Sequence, residues 1–384
     1  YALYAASSIA ACGTVIVAVI PGANKTLVEI IAAAVIVVYT FLGGFNAVCW
    51  TDFFQGMLML LALMIVPIVA YIILQTSGPI GNPAADVPNY YNFLSSGKFD
   101  WASVSDILTG FGWGLGYFGM PHILVRYMSI RSEKEMKKSQ ITGSLWTALI
   151  LLLATFVGLI AREFLGDIVT SDNKSSVFIM IVDNIFSTGA LAVIGGLLLS
   201  AIVAASMSTA DSQLLLSSSA FASDIYKTTI KKDASEKEVL WVGRIAVIVI
   251  LVIAVLIALF VSSDIMSLVS AAWSIFGAAF GPAILLSLFW KRFNFKGAAA
   301  GIISGFVVSV LWMVLFNFPY YGFEKVIAAT NLYEIVPGFI VGLITAVIVT
   351  LCTKKPDAET EKIFDDAVKM GTDEKVKEVE STQD

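Results

Sequence analysis

Apolar residues along this chain fall into ten blocks, each close to the length of a membrane-crossing helix. They run roughly 1–20, 27–45, 53–74, 104–124, 141–164, 190–222, 239–261, 265–290, 297–316 and 333–352. A hydrocarbon core of about 30 Å takes about 20 apolar residues per helix. The pattern predicts an all-α polytopic membrane protein with about ten transmembrane helices. The last stretch, residues 353–384, is charged instead and reads as a solvated tail.

Composition agrees with the blocks. The 384 residues are 58% hydrophobic and 14% charged, and mean hydropathy is +0.86. Soluble domains carry about 25% charged residues. Formal net charge is −5, and there is no basic patch of the kind nucleic acid requires. Cys12, Cys49 and Cys352 lack metal-site spacing and read as small packing residues.

Charge placement predicts orientation. Basic clusters follow the fourth block (Arg126, Arg131, Lys134, Lys137, Lys138), the sixth (Lys227, Lys231, Lys232, Lys237, Arg244), the eighth (Lys291, Arg292, Lys296) and the tenth (Lys354, Lys355). Two blocks separate each cluster from the next, so all four share one side, and Lys/Arg-rich short loops stay cytoplasmic. The tail then lies in the cytoplasm. The first block opens at Tyr1 without a polar leader, which reads as a fragment lacking what precedes it.

Two stretches carry candidate chemistry. Residues 199–227 form an apolar block dense in hydroxyls, with one carboxylate, Asp211. At about 100° per residue, Ala205, Ser208, Thr209, Ser212, Ser219 and Ser223 share one stripe. Hydroxyl and carbonyl oxygens suit small hard cations, so the stripe suggests a seat or path for an ion. Hydroxyls bonding back to carbonyls one turn earlier would give the same composition. The second stretch, Phe111 to His122, holds Gly112, Gly114, Gly116, Gly119 and Pro121. These residues weaken a helix, and such backbone survives at membrane depth only against protein or beside a cavity. An interrupted membrane helix points to a transporter binding site; close packing through small residues is the other reading. Trp113 and Tyr117 are four apart and share a face that suits a small amphipathic solute.

Asp52 precedes an apolar run, where a carboxylate serves as a helix N-cap or as an ion contact. Asp211 lies off the oxygen stripe, and intramembrane carboxylates are costly and functional by default. His122, the one histidine, is a packing residue or a proton relay. Trp50, Trp273, Trp290, Trp312, Tyr320, Tyr321 and Tyr333 lie near block ends and read as an interfacial aromatic belt. No GxxxxGK[ST], HExxH or GxSxG motif occurs, so this reads as no enzyme and its energy source as a gradient.

The stretches GWGLGYFGMPHILVRYM, SAIVAASMSTADSQLLLSSSAFASDIYK, GGFNAVCWTDFFQG, VLWVGRIAVIVI and SAAWSIFGAAFGPAILLSLFWKR resemble the sodium/solute symporter family, most of all its sodium/proline branch. The resemblance runs from the first block through the tenth. It implies a five-plus-five inverted-repeat core, with the fourth block as the broken helix opening the second repeat and the first helices of the first repeat missing. It implies a sodium site at Ala205, Ser208 and Thr209, and solute contacts at Trp113, Tyr117 and Pro121. Asp52 then belongs to sodium handling on the inner side. Asp211, which the proline branch does not uniformly carry, and Ser212 are ion-path candidates on their own chemistry. The implied function is sodium-coupled proline uptake across the plasma membrane by alternating access, with Na⁺ as coupling ion and no cofactor. Another solute (pantothenate, betaine, another amino acid), a channel or a transporter-like sensor are the alternatives. The implied partners are the solute, Na⁺ and the bilayer. Residues 1–352 are then the transporter domain and 353–384 the cytoplasmic tail.

Overall fold

The computed structural model describes residues 1–83, 88–170, 173–260, 265–317 and 330–371. Among these residues the fold is helical, with no strand. The helices are α1 (Ala2–Val19), α2 (Lys25–Ser77), α3 (Trp101–Gly116), α4 (Pro121–Met128), α5 (Glu133–Leu165), α6 (Val177–Phe186), α7 (Leu191–Ser219), α8 (Glu236–Phe260), α9 (Ile265–Phe289), α10 (Phe295–Trp312), α11 (Ile335–Cys352) and α12 (Ala358–Gly371). Helix α7 runs on in π geometry from Ala220 to Ile230.

Eight helical stretches among the described residues are long and apolar enough to cross a membrane. The ten-block expectation is thus met only in part. Blocks two and three are joined in α2, where Gly44 adopts φ 62 and ψ −166, a left-handed conformation that glycine enters without a Cβ penalty. The counted span begins at Gly43. Block four is divided into α3, of 16 residues, and α4, of 8, each short of the roughly 20 needed to span.

Side-chain caps set the starts of several helices. The Ser132 hydroxyl accepts from Glu135 N–H at 3.4 Å, so α5 begins eight residues before its apolar block. Asp100 caps α3 through Ser103 N–H at 3.0 Å, and Asn294 caps α10 through Gly297 N–H at 2.9 Å. Helix α6, ten residues long, is too short to register as a block, yet Ile179, Ile181, Val182 and Phe186 are buried.

The chain divides into two compact units. The first comprises Tyr1–Gly97 and Val125–Val269, the second Lys98–Leu124 and Ser270–Asp384. The first unit has two apolar clusters. One joins Ala62, Val66 and Ala70 of α2 to Ile160 and Phe164 of α5, Ile181 of α6, and Leu198 and Ala201 of α7. The other joins Ala5 and Ile9 of α1 to Ile36 of α2, Ala210 and Leu214 of α7, and Leu251 of α8. Helix α7 enters both clusters, which fixes the stretch between Ala201 and Ala210.

The second unit is packed through small residues. Gly297, Gly301 and Gly305 are buried on one face of α10. A Cβ at Gly305 would lie 2.1 Å from the Ala278 carbonyl oxygen, and one at Gly301 would lie 2.7 Å from the Ala346 Cβ. Such close approach is how membrane helices gain contact without a hydrophobic driving force. Residues 358–371 of the charged tail form α12, whose Asp365 and Glu361 lie 2.7 and 3.8 Å from Lys291. Tail residues 372–384 lie outside the described residues.

Candidate functional site

Within the first unit, α7 brings its oxygens together. The Ser208 hydroxyl donates to the Ala205 carbonyl at 2.9 Å, and the Thr209 hydroxyl donates to the same oxygen at 3.0 Å. Positions i, i+3 and i+4 adjoin on a helix, so three oxygens meet about one point. As it stands this is the back-bonding reading of the stripe. Each hydroxyl also keeps lone pairs beyond the proton it donates, so the same three atoms can turn toward a cation. Ala205 also lines an apolar cavity of about 320 Å³, together with Thr14, Ala62, Val157, Phe178 and Ile202.

One turn on, Ser212 donates to Asp52 Oδ2 at 3.2 Å and accepts from Arg126 Nη2 at 2.8 Å. The Arg126 guanidinium closes the triangle as an ion pair with Asp52. Asp52 is therefore no N-cap: it sits inside α2, which runs unbroken past it from the Gly44 kink. Arg126, the first residue of the basic cluster after the fourth block, is itself half exposed and pairs with this partly buried carboxylate.

Asp211 is fully buried. Neither of its carboxylate oxygens accepts a well-formed hydrogen bond. Its polar neighbours are the Tyr39 hydroxyl, which donates to the Met207 carbonyl at 3.2 Å, the Ser212 N–H, and the Asp52–Arg126 pair. Two carboxylates thus share the charge of one guanidinium. An uncompensated buried charge is expensive, and either a proton on the carboxyl or a nearby cation relieves it.

The second unit holds an aromatic cluster. Trp113 stacks on Tyr333 with ring centroids 5.3 Å apart and planes at 26°, and it lies 5.9 Å from Trp273. Tyr117 meets Trp273 edge-on at 4.9 Å and 82°. Offset and edge-on contacts are the favoured arrangements of aromatic rings. Trp273 and Tyr333 are 6% and 7% exposed, while Tyr117 is 40% exposed. The belt reading fails for Trp273 and Tyr333, which are core partners of Trp113; Tyr320 and Tyr321 lie outside the described residues. Spacing along the sequence could not find these two partners, because they lie 160 and 220 positions from Trp113.

The helix break has its own bonding. A continuous helix would send the Tyr117 N–H to the Trp113 carbonyl. That N–H goes to Gly114 O at 3.3 Å instead, and the Trp113 carbonyl takes the Trp273 indole N–H at 2.9 Å. Pro121 is the first residue of α4, where its missing N–H has no helical partner to lose. Next in sequence to Tyr333, buried Glu334 accepts from Ser274 Oγ at 3.1 Å and from Asn317 Nδ2 at 2.8 Å. The structure thus groups Ala205, Ser208 and Thr209 in one array, Asp52 and Ser212 in a second with Asp211 as neighbour, and Trp113 and Tyr117 in a third, with Pro121 opening the helix after the break.

Comparison with known proteins adds sequence and fold evidence. The chain is 40% identical over 344 residues to the "Osmoregulated proline transporter OpuE" of Bacillus subtilis, covering 89% of this chain and 66% of that protein. It is 38% identical over 341 residues to the "High-affinity proline transporter PutP" of the same organism, covering 88% and 67%. It is 40% identical over 335 residues to "Sodium/proline symporter 2" of Staphylococcus saprophyticus, covering 85% and 62%. The chain thus spans about two thirds of the length of these relatives. A Na⁺-coupled sialic acid symporter, solved in a substrate-bound outward-open state, shares the fold with TM-score 0.67 at 19% identity, covering 93% of this chain and 74% of that one. Residues 1–305 match the family described as "SSF: Sodium:solute symporter family", and this match together with relatives near 40% identity establishes that the chain belongs to that family.

Proposed function

We propose that this chain carries out sodium-coupled uptake of proline by alternating access, as a multi-pass protein of the plasma membrane. The observation that carries the reading is the meeting of the Ser208 and Thr209 hydroxyls on the Ala205 carbonyl, within a membrane-length helix of a sodium:solute symporter family member. Relatives named as proline transporters supply the solute.

In this reading Na⁺ binds at Ala205, Ser208 and Thr209, and the hydroxyl protons rotate away so that oxygen lone pairs face the ion. Asp52, Asp211 and Ser212 form the inner stretch of the ion path, where Arg126 competes with the ion for Asp52. Trp113 and Tyr117 cover the apolar ring of the solute, and the break before Pro121 presents backbone carbonyls to its amine. Helices α3 and α4 are the two halves of the broken helix that opens the second repeat of a five-plus-five core. Residues 1–352 form the transporter domain, and 353–384 lie on the cytoplasmic side.

The energetics suffice. One Na⁺ moving down 100 mV yields about 2.3 kcal/mol, and a tenfold concentration ratio adds about 1.4 kcal/mol. Together they support accumulation of a neutral solute by roughly several hundredfold.

Uptake of labelled proline by cells expressing the complete gene, with and without sodium, tests the reading. Uphill accumulation that requires sodium is expected, with pantothenate and betaine as competitors of little effect. Serine and threonine replaced together (Ser208→Ala with Thr209→Ala) should sharply raise the sodium needed. An unchanged sodium requirement in that double variant refutes the ion assignment, and conduction that never saturates with solute refutes the carrier.

A further inference from the structure

We propose that the hollow where α9, α10, α11 and α12 end or begin binds the phosphate head of an anionic phospholipid. The hollow measures about 780 Å³, and its polar lining includes Asn294, Lys296, Thr353, Lys354, Lys355 and Asp357. Three membrane-length helices, Ile265–Phe289, Phe295–Asn317 and Ile335–Cys352, start or stop there. The hollow therefore sits at the depth of lipid headgroups.

Its charge is uncompensated. Among the described residues, Lys296, Lys354 and Lys355 are exposed and take part in none of the ion pairs found. The neighbouring cations are already engaged: Lys291 with Asp365 and Glu361, and Arg292 with the Leu351 carbonyl at 3.1 Å. The one acid in the lining, Asp357, accepts from Thr360 N–H at 2.8 Å and caps α12. Three ammonium groups thus face a single carboxylate held in a cap.

The walls are fixed to each other. Asn294 Nδ2 donates to Thr353 Oγ1 at 2.9 Å and to the Lys354 carbonyl at 2.9 Å. These bonds tie the turn between α9 and α10 to the linker between α11 and α12, so the segments bearing the three lysines are held together. The lining also has apolar residues, Phe293 and Phe295; Phe295 is 86% exposed, and Phe289 at the end of α9 is 80% exposed. A phosphate beside three lysines with hydrocarbon against phenylalanine matches an amphipathic ligand. Basic pockets at helix ends take lipid headgroups in this way.

The test uses the full-length protein in nanodiscs of phosphatidylcholine doped with fluorescent phosphatidylglycerol. Retention of phosphatidylglycerol over phosphatidylcholine is expected. Each lysine contributes about fivefold, so replacing all three with glutamine (Lys296→Gln, Lys354→Gln and Lys355→Gln together) should abolish the preference, and replacing all three with arginine should retain it. Asp357→Asn keeps the α12 cap and should raise retention severalfold. Equal retention by the wild-type protein and the glutamine triple overturns the proposal. Displacement of the lipid by equimolar inorganic phosphate reassigns the hollow to a free anion and overturns the lipid assignment. The readout is independent of sodium and solute, so it stands or falls separately from the transport reading.

Discussion

The indole N–H of Trp273 donates to the backbone carbonyl of Trp113 at 2.9 Å, occupying the acceptor that the interrupted helix leaves behind. One residue thereby holds the break open and lies beside the ring of Trp113. Gly116 makes this possible, because a Cβ there would stand 1.8 Å from Trp273 Nε1.

Trp273→Phe keeps an aromatic ring and removes the donor. An orphaned buried carbonyl costs about 1–3 kcal/mol. The expected outcome is a tenfold or greater rise in the KM for proline, with the sodium requirement nearly unchanged. Uptake titrated separately in proline and in sodium checks it, and a parallel loss in both would assign Trp273 a general structural role.

Asp52→Asn removes the carboxylate shared by Arg126 and Ser212. Arg126 is 47% exposed, so water screens the charge left behind and the stability cost stays well below that of breaking a fully buried pair. We expect the sodium concentration for half-maximal uptake to rise at least tenfold, while Ser212→Ala, which leaves the ion pair in place, shifts it about threefold or less. Sodium titrations of both variants at matched expression decide between these magnitudes.

Asp211→Asn replaces a buried carboxylate whose oxygens lack well-formed bonds with a neutral isostere. Without sodium the variant should melt at or slightly above wild type, because Asn needs neither a proton nor a counter-charge at this buried position. Sodium should then stabilise it less, since ligand stabilisation grows as RT ln(1 + [L]/Kd). Thermal unfolding in detergent across a sodium series measures both effects; equal sodium stabilisation in both proteins removes Asp211 from the ion path.

Gly305→Ala puts a Cβ 2.1 Å from the Ala278 carbonyl oxygen, a backbone atom that cannot step aside. Overpacking of this kind costs about 1–3 kcal/mol, and a lower unfolding temperature with reduced expression is expected. Gly196→Ala on α7 meets nothing within 4 Å and should be neutral or slightly stabilising. If the two variants melt alike, the packing account of α10 against α9 fails.

Lys291→Gln removes the two ion pairs that join α12 to the turn after α9. Exposed pairs are screened by salt. The variant tail should be cut faster by protease at low ionic strength, and the difference from wild type should fade at high salt. The Asp365 carboxylate beside Lys291 raises the pKa of that ammonium. The pairing is therefore complete below the ordinary lysine range and is lost as pH rises through the elevated value, so protection of the tail should disappear only in strong alkali.

The apolar blocks decided much of this protein. Bilayer thickness fixes the length of a spanning helix, so Ala2–Val19 and Ile335–Cys352 were readable within a residue or two. The glycine and proline run from Phe111 to His122 marked an interruption, because those residues weaken helices wherever they occur. The hydroxyl stripe on α7 followed from helical periodicity alone, since Ala205, Ser208 and Thr209 are neighbours on any helix.

What the chain order does not contain is which faces meet. Asp52 read as a cap or as an ion contact because the two share a local sequence; only folding α2 beside Ser212 and Arg126 excluded the cap. Trp273 and Tyr333 looked interfacial because block ends are where belts lie, and only packing placed them against Trp113. Local patterns fix helices and breaks through short-range sterics and solvation, whereas contacts between residues 74 to 220 positions apart depend on how those helices pack.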